Sequence, residues 1–183
     1  LLAVLRLSRV RVFQWFVKAY VWVLRGTPIL LQLYFFWIFL PKVMPFSLSD
    51  TACIIVALII NASSYVAEII RAGIQAVDKG QTEAARSLGL TAGHTMSKVV
   101  LPQAVKNILP ALGNEFINMI KQVSLASVFF INELTTSYRT VLAATYRPIE
   151  AIVIAGMIYL LVTTVLSQIV ELAEWRMRKN ERC

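Results

Sequence analysis

The sequence predicts an all-α fold, a polytopic bundle of transmembrane helices, and three observations predict it. Ala151 to Val170 is a run of twenty residues without a charge, about 30 Å long as a helix and so matched to the hydrocarbon core of a bilayer. The chain is 58% hydrophobic with a mean hydropathy of +0.69, more apolar than a soluble core of 183 residues requires. Its charge is also unevenly placed. Residues 1–49 carry six basic residues and no acidic one, and these cations flank apolar segments and interleave with Trp15 and Trp22. That arrangement fits a partner of membrane lipid and argues against nucleic acid.

The elements follow in order. Leu1 to Leu5 supplies too few apolar residues before Arg6 to span a membrane or to act as a signal peptide. We expect it to be the tail of an N-terminal helix that is largely missing from the chain. Residues 9–24 are amphipathic and basic, with Trp15 and Trp22 seven apart on one face, as in a helix lying in the interface. Thr27 is expected to cap the next helix with Pro28 at its first position. That span runs over 28–43, apolar from Ile29 to Leu40 except for Gln32, and Pro41 should bend or end it.

A third helix begins at Ser49-Asp50 and reaches about Arg71. The fourth is expected to emerge from Pro102 and run to about Asn132, kinked by Pro110 and Gly113. An irregular stretch, 133–150, precedes the clean span. The tail 171–183 adds Trp175, Arg176, Arg178, Lys179 and Arg182. Alternation places 6–25, 71–106 and 171–183 on one side and 41–50 and 133–150 on the other. Fourteen of the eighteen Lys and Arg then lie on the first side and three on the second, while five of the ten acidic residues lie on the first side and five elsewhere, three of them on the second side and Glu68 and Glu115 within spans. Under the positive-inside rule the first side is cytoplasmic.

Residues 83–102, EAARSLGLTAGHTMSKVVLP, lie within the long cytoplasmic segment. Ala84 and Ala85 are small helix formers that allow close approach of another surface. Glu83 is expected in the first turn of its helix, where the dipole favours a carboxylate. Gly89 suits the left-handed turn that ends a helix. Thr91 can cap a second helix, until Pro102 restricts Leu101 to an extended conformation.

Two charges sit where a membrane helix should have none. After Lys121 and Gln122 only ten residues, Val123 to Asn132, precede the next charge, about 15 Å of helix, so a spanning helix must bury Glu115 or Lys121. Insertion near the centre costs about 2.5–3.5 kcal/mol. Six positions apart, the two lie about 120° from each other and do not pair. Both could snorkel, or pair with Glu68 or Arg71. Alternatively some of Asn61, Ser64, Glu115, Lys121 and Ser124 face a polar translocation cavity. Asn61 and Ser64, three apart, could equally join helices.

Other chemistry is poorly supplied. Cys53 and Cys183 give neither a disulfide framework nor metal spacing, and His94 is the single histidine. No G-x-x-x-x-G-K-[ST] phosphate loop occurs, so the chain should not hydrolyse ATP.

The pattern Glu-Ala-Ala, three residues, Gly, nine residues, an aliphatic, any residue, Leu-Pro is met at Glu83, Ala84, Ala85, Gly89, Val99, Leu101 and Pro102. It resembles the cytoplasmic ATPase-coupling loop of ABC-importer permease subunits, with Val99 where isoleucine is commoner. Arg25-Gly26-Thr27-Pro28, the run Ala67 to Ile74 and the run Leu112 to Asn118 resemble the polar amino-acid branch (histidine, glutamine, glutamate, arginine and opine permeases). Gln122-Val123 departs from that branch, which usually has an acidic residue or asparagine and then a hydroxyl residue there. The resemblance covers essentially the whole chain and implies a single transmembrane permease domain over 1–183, containing the coupling loop 83–102.

It further implies a multi-pass protein of the plasma (inner) membrane that works with ABC ATPase subunits. A second permease subunit, identical or homologous, and an extracytoplasmic solute-binding protein would complete the assembly. ATP and Mg would be held by the ATPase, with no cofactor in this chain, and polar amino acids would cross by alternating access. The rival readings are a passive channel or scaffold, for which such a loop would be surplus, and an intramembrane enzyme, which lacks a histidine base inside the bilayer.

Overall fold

The computed structural model describes residues 2–7 and 10–179 and is helical almost throughout, with no strand among them. The helices are α1 (Leu2–Leu7), α2 (Arg11–Gly26), α3 (Ile29–Val43), α4 (Asp50–Gln75), α5 (Lys79–Ser87), α6 (Ala92–Thr95), α7 (Leu101–Gln122), α8 (Leu134–Thr145) and α9 (Pro148–Lys179). A π-helical turn, Met96–Val100, leads into α7, and a 3₁₀ segment, Val123–Phe129, follows it. Arg9, Arg182 and Cys183, named above, lie outside the described residues, as do the side chains of Arg178 and Lys179.

Two helices, α4 and α9 through Met177, are each long and apolar enough to cross a membrane unaided. A third crossing is available if α2 and α3, which meet at 110°, form one broken span. The bend suits their compositions. Val17, Val21 and Leu24 of α2 face inward while Val12, Trp15 and Trp22 are exposed, so α2 is amphipathic where α3 is apolar throughout.

The interior is centred on α4, which touches α1, α2, α3 and α7. Ser49 caps it by accepting the amide N–H of Ala52. Leu33, Ile54, Ala57, Ala126 and Phe129 make the core, with Tyr34 and Trp37 tilted against the Phe129 ring at 4.8 and 5.5 Å. Glycine permits the closest helix contacts. A Cβ on Gly73 of α4 would collide with Ile108 of α7, and one on Gly113 of α7 would lie 2.6 Å from Val170 of α9. Such close approach is how helices associate in lipid, where burial of apolar surface gives no driving force.

Several expectations are corrected. Thr27 ends α2 by donating to the Val23 carbonyl and does not cap α3; Pro28 occupies that N-cap position. Gln32 satisfies the carbonyls at the C-terminal end of α2, donating to those of Leu24 (2.7 Å) and Thr27 (3.1 Å). The third helix continues past Arg71 to Gln75. The helix from 102 does not run unbroken to 132. It stays helical through Pro110 and Gly113 but tightens to 3₁₀ after Gln122 and ends at Phe130, in the left-handed conformation (φ 56°).

Residues 133–150 are mostly ordered helix, not irregular. Glu133 caps α8, its carboxylate accepting the N–H groups of Thr135 and Thr136 at 2.8 and 2.6 Å, and Tyr159 of α9 donates to it at 3.1 Å. Leu101 is helical (φ −60°, ψ −43°), not extended. The π turn explains it: the amide of Leu101 reaches back five residues to Met96, and the widened turn makes room for the Pro102 ring.

Candidate functional site

The segment 83–102 is a helix–turn–helix built from local hydrogen bonds. Asp78 starts α5, its Oδ1 accepting the Gly80 amide at 2.6 Å. Because that cap lies so early, Glu83 falls in the second turn of α5 and the first turn has no acidic residue, which corrects the placement expected from sequence. Of the Glu-Ala-Ala triplet, Glu83 and Ala84 face outward while Ala85 is buried beneath them.

Gly89 terminates the helix with φ 87°. The Gly89 amide donates to Arg86 O at 3.0 Å and the Leu90 amide to Ala85 O at 3.2 Å, the paired bonds of a Schellman turn. A Cβ at Gly89 would meet nothing within 4 Å, so backbone conformation alone demands glycine. Thr91 caps α6 by accepting the His94 amide, and its Oγ1 lies 2.9 Å from His94 Nδ1. Leu88, at the tip beside the turn, is 82% exposed. Sequence inspection passed over it; a leucine inside an otherwise polar helix end was the available signal.

The other pattern residues are less outward. Val99 is half-buried, Leu101 and Pro102 are exposed, and Val100 between them is buried. Behind the loop, a cleft of about 720 Å³ separates it from the end of α4, lined in part by Lys79, Thr82, Arg86 and Thr95. Thr95 is 2% exposed and its Oγ1 has no hydrogen-bond partner.

The five polar helix residues do not form one cluster. Asn61 and Ser64 are buried within the bundle. Asn61 Nδ2 donates to Gln32 Oε1 at 2.8 Å, and Ser64 Oγ donates to the Asn61 carbonyl at 2.7 Å. Gln32 thereby ties α2, α3 and α4 together, a role its isolation in an apolar run could have signalled. Asn61→Leu and Gln32→Leu should each destabilise the bundle, and the double variant should lose less than their sum by about 0.6 kcal/mol. Thermal unfolding of the four proteins in detergent checks this coupling.

Glu115, on α7, is 8% exposed and its Oε1 lacks a hydrogen-bond partner. Lys121 is exposed, and Ser124 Oγ donates to its carbonyl at 2.6 Å. Neither Glu115 nor Lys121 pairs with Glu68 or Arg71. Those two pair with each other, and Glu68 also receives Arg6, with Arg25 at 3.9 Å. No cluster of metal-ligating side chains occurs among the described residues.

Comparisons with known proteins agree on one family. Residues 1–179 match the family described as "Binding-protein-dependent transport system inner membrane component". The arginine transport system permease protein ArtQ of Bacillus subtilis is 39% identical over 180 residues, covering 98% of this chain and 82% of that protein. The nopaline transport system permease protein NocM of Agrobacterium fabrum is 39% identical over 189 residues, covering 98% and 78%. A crystal structure of an amino acid ABC transporter with histidines superposes with a TM-score of 0.88 at 44% identity, over 96% of this chain and 81% of that one. The methionine ABC transporter MetNI, in an inward-facing form, shares the fold with a TM-score of 0.70 at 20% identity.

Proposed function

This chain belongs to the family of binding-protein-dependent transport system inner membrane components, and from that premise we propose that it is the membrane-spanning subunit of an ATP-driven importer of polar amino acids. It is a multi-pass transport component and not an enzyme; in this family ATP hydrolysis belongs to a separate subunit. The solute class is proposed from the names of its relatives, which carry arginine and nopaline.

The observation that carries the mechanism is the loop. Glu83, Ala84 and Leu88 form an outward surface, short in side chains apart from one acid and one leucine, held by the Gly89 turn. We assign that surface, with Val99, Leu101 and Pro102 anchoring it to α7, as the seat of the ATPase on the cytoplasmic side. ATP and Mg bound between two ATPase subunits would close them, carry the loop, and reopen the helices toward an extracytoplasmic solute-binding protein. A second permease subunit, identical or homologous, completes the pathway.

Within it, Glu115 is the best placed of the polar residues to meet solute, because one of its carboxylate oxygens, Oε1, is buried with no partner among the described residues. Lys121 and Ser124, farther along the chain and on another face, would offer the opposite charge and a hydroxyl. Asn61 and Ser64 would border the path from α4 while holding α3.

Reconstitution with the cognate ATPase tests the proposal. Uptake of labelled arginine, histidine or glutamine into vesicles should require ATP; equal uptake without ATP would favour the passive channel. Gly89→Val should lower ATP-driven uptake by roughly tenfold. A branched residue at φ 87° strains the turn by about 1–2 kcal/mol, enough to shift the loop tip. Unchanged uptake by that variant would show that the turn is not needed.

A further inference from the structure

Helix α2 carries one alternating stripe of aromatic and basic side chains. Trp15, Lys18, Trp22 and Arg25 are spaced three, four and three apart, so they share one helix face. A different face, through Val17, Val21 and Leu24, packs inward. The stripe walls a cleft of about 710 Å³ whose lining also includes Arg6 and Glu68.

The cleft is short of negative charge. Glu68 is the only acidic residue in its lining, and Arg6, Arg71 and Arg25 already converge on it. Lys18 makes no ion pair among the described residues. Trp15 and Trp22 are 74% and 76% exposed, so the described residues leave most of each indole uncovered. An excess of cations over the single carboxylate they share, with Lys18 unpaired among the described residues and two indoles uncovered beside it, suits a ligand with an anionic head and an apolar body.

Two helix lengths give the cleft's depth. From Asp50 to Glu68 along α4 is about 27 Å at helical rise, and the fifteen residues of α3 measure about 22 Å. α3 ends and α4 begins at the face opposite the loop, so the cleft, beside the start of α3 and Glu68 of α4, lies toward the loop-side end of a hydrocarbon core about 30 Å thick. The 110° bend then lays α2 along that boundary.

We propose that this cleft binds an anionic phospholipid from the leaflet on the side of loop 83–102. Its phosphodiester sits among Lys18, Arg25 and Arg6, and its acyl chains run against Trp15 and Trp22. This rests on the membrane topology and not on the identity of the transported solute, so the uptake assay and the lipid assay fail separately.

Tryptophan quenching tests it. The chain has four tryptophans, and a W37F/W175F background leaves Trp15 and Trp22 as the emitters. The purified full chain, in vesicles carrying either brominated phosphatidylglycerol or brominated phosphatidylcholine, should be quenched preferentially by the anionic lipid. Lys18→Glu should reduce that preference by at least about fivefold, the factor one basic side chain supplies at an anionic surface, with no change in melting temperature. Millimolar inorganic phosphate should not reduce the preference.

Equal quenching by both lipids, or an unchanged preference in Lys18→Glu, would overturn the proposal. Displacement by inorganic phosphate would overturn it in favour of a soluble anion. Absence of quenching by either lipid would mean that another protein surface, such as a second copy, covers the stripe.

Discussion

Glu83→Lys should leave the chain folded and inserted while lowering ATP-driven uptake by at least about thirtyfold. Glu83 is exposed on α5, makes no side-chain contact that holds the loop together, and can be reversed in sign with little effect on folding. On the proposed reading its partner is a cationic group of the ATPase across the interface. There a like-charge juxtaposition costs several kcal/mol, against about 2 kcal/mol needed for a thirtyfold loss. Glu83→Gln should give a smaller defect, since the shape is kept and only the attraction is lost. ATP-dependent solute uptake and co-purification of the ATPase measure both. Normal uptake by Glu83→Lys would remove Glu83 from the docking surface.

The second large effect should come from the bundle itself. Gly73→Leu places a side chain where Ile108 already lies, with the Ala104 carbonyl 3.5 Å from the new Cβ. Overpacking of this kind costs about 1–3 kcal/mol, and here it pushes apart the α4–α7 pair on which the loop is mounted. The expected result is a clear fall in melting temperature and in the yield of monodisperse protein in detergent. Trimming the obstruction with Ile108→Ala should restore part of the loss. Failure of that rescue would mean that the glycine serves some other purpose. Gly113→Leu should behave in the same way against Val170, 2.6 Å from the Cβ position.

The sequence made the membrane bundle legible because its signals are long-range averages. An uncharged run such as Ala151–Val170 and the crowding of Lys and Arg on alternate connections survive any error in helix ends. The loop was legible for the opposite reason: Gly89 and Thr91 are local devices whose chemistry allows few backbone conformations, whereas the early cap at Asp78 went unread and displaced Glu83 from the first turn. The stretch from 123 to 147 was not legible, and its residues explain why. Its two stops are Phe130 and Tyr146, both at φ 56°, where glycine would have announced the turn. Its cap is Glu133, a residue type rarely found in that role.

The continuity of Val100, Leu101 and Pro102 was also misread. The rule that proline extends its predecessor assumes a regular helix, and the π turn evades it. Among the polar helix residues, the sequence placed Asn61 and Ser64 within a span and required burial of Glu115 or Lys121, but it could not distinguish a hydrogen-bonded joint from a group facing a path. Gln32 decides that for Asn61, and it lies twenty-nine residues away.

The central claim is that loop 83–102 lies in the cytoplasm and meets the ATPase. Leu88→Cys, at the exposed tip in a Cys183→Ser background, tests it by cross-linking in whole cells. Formation of a covalent adduct with the ATPase, together with protection from a membrane-impermeant thiol reagent added outside, is the predicted result. Labelling of that cysteine from the outside, with no ATPase adduct, would contradict it.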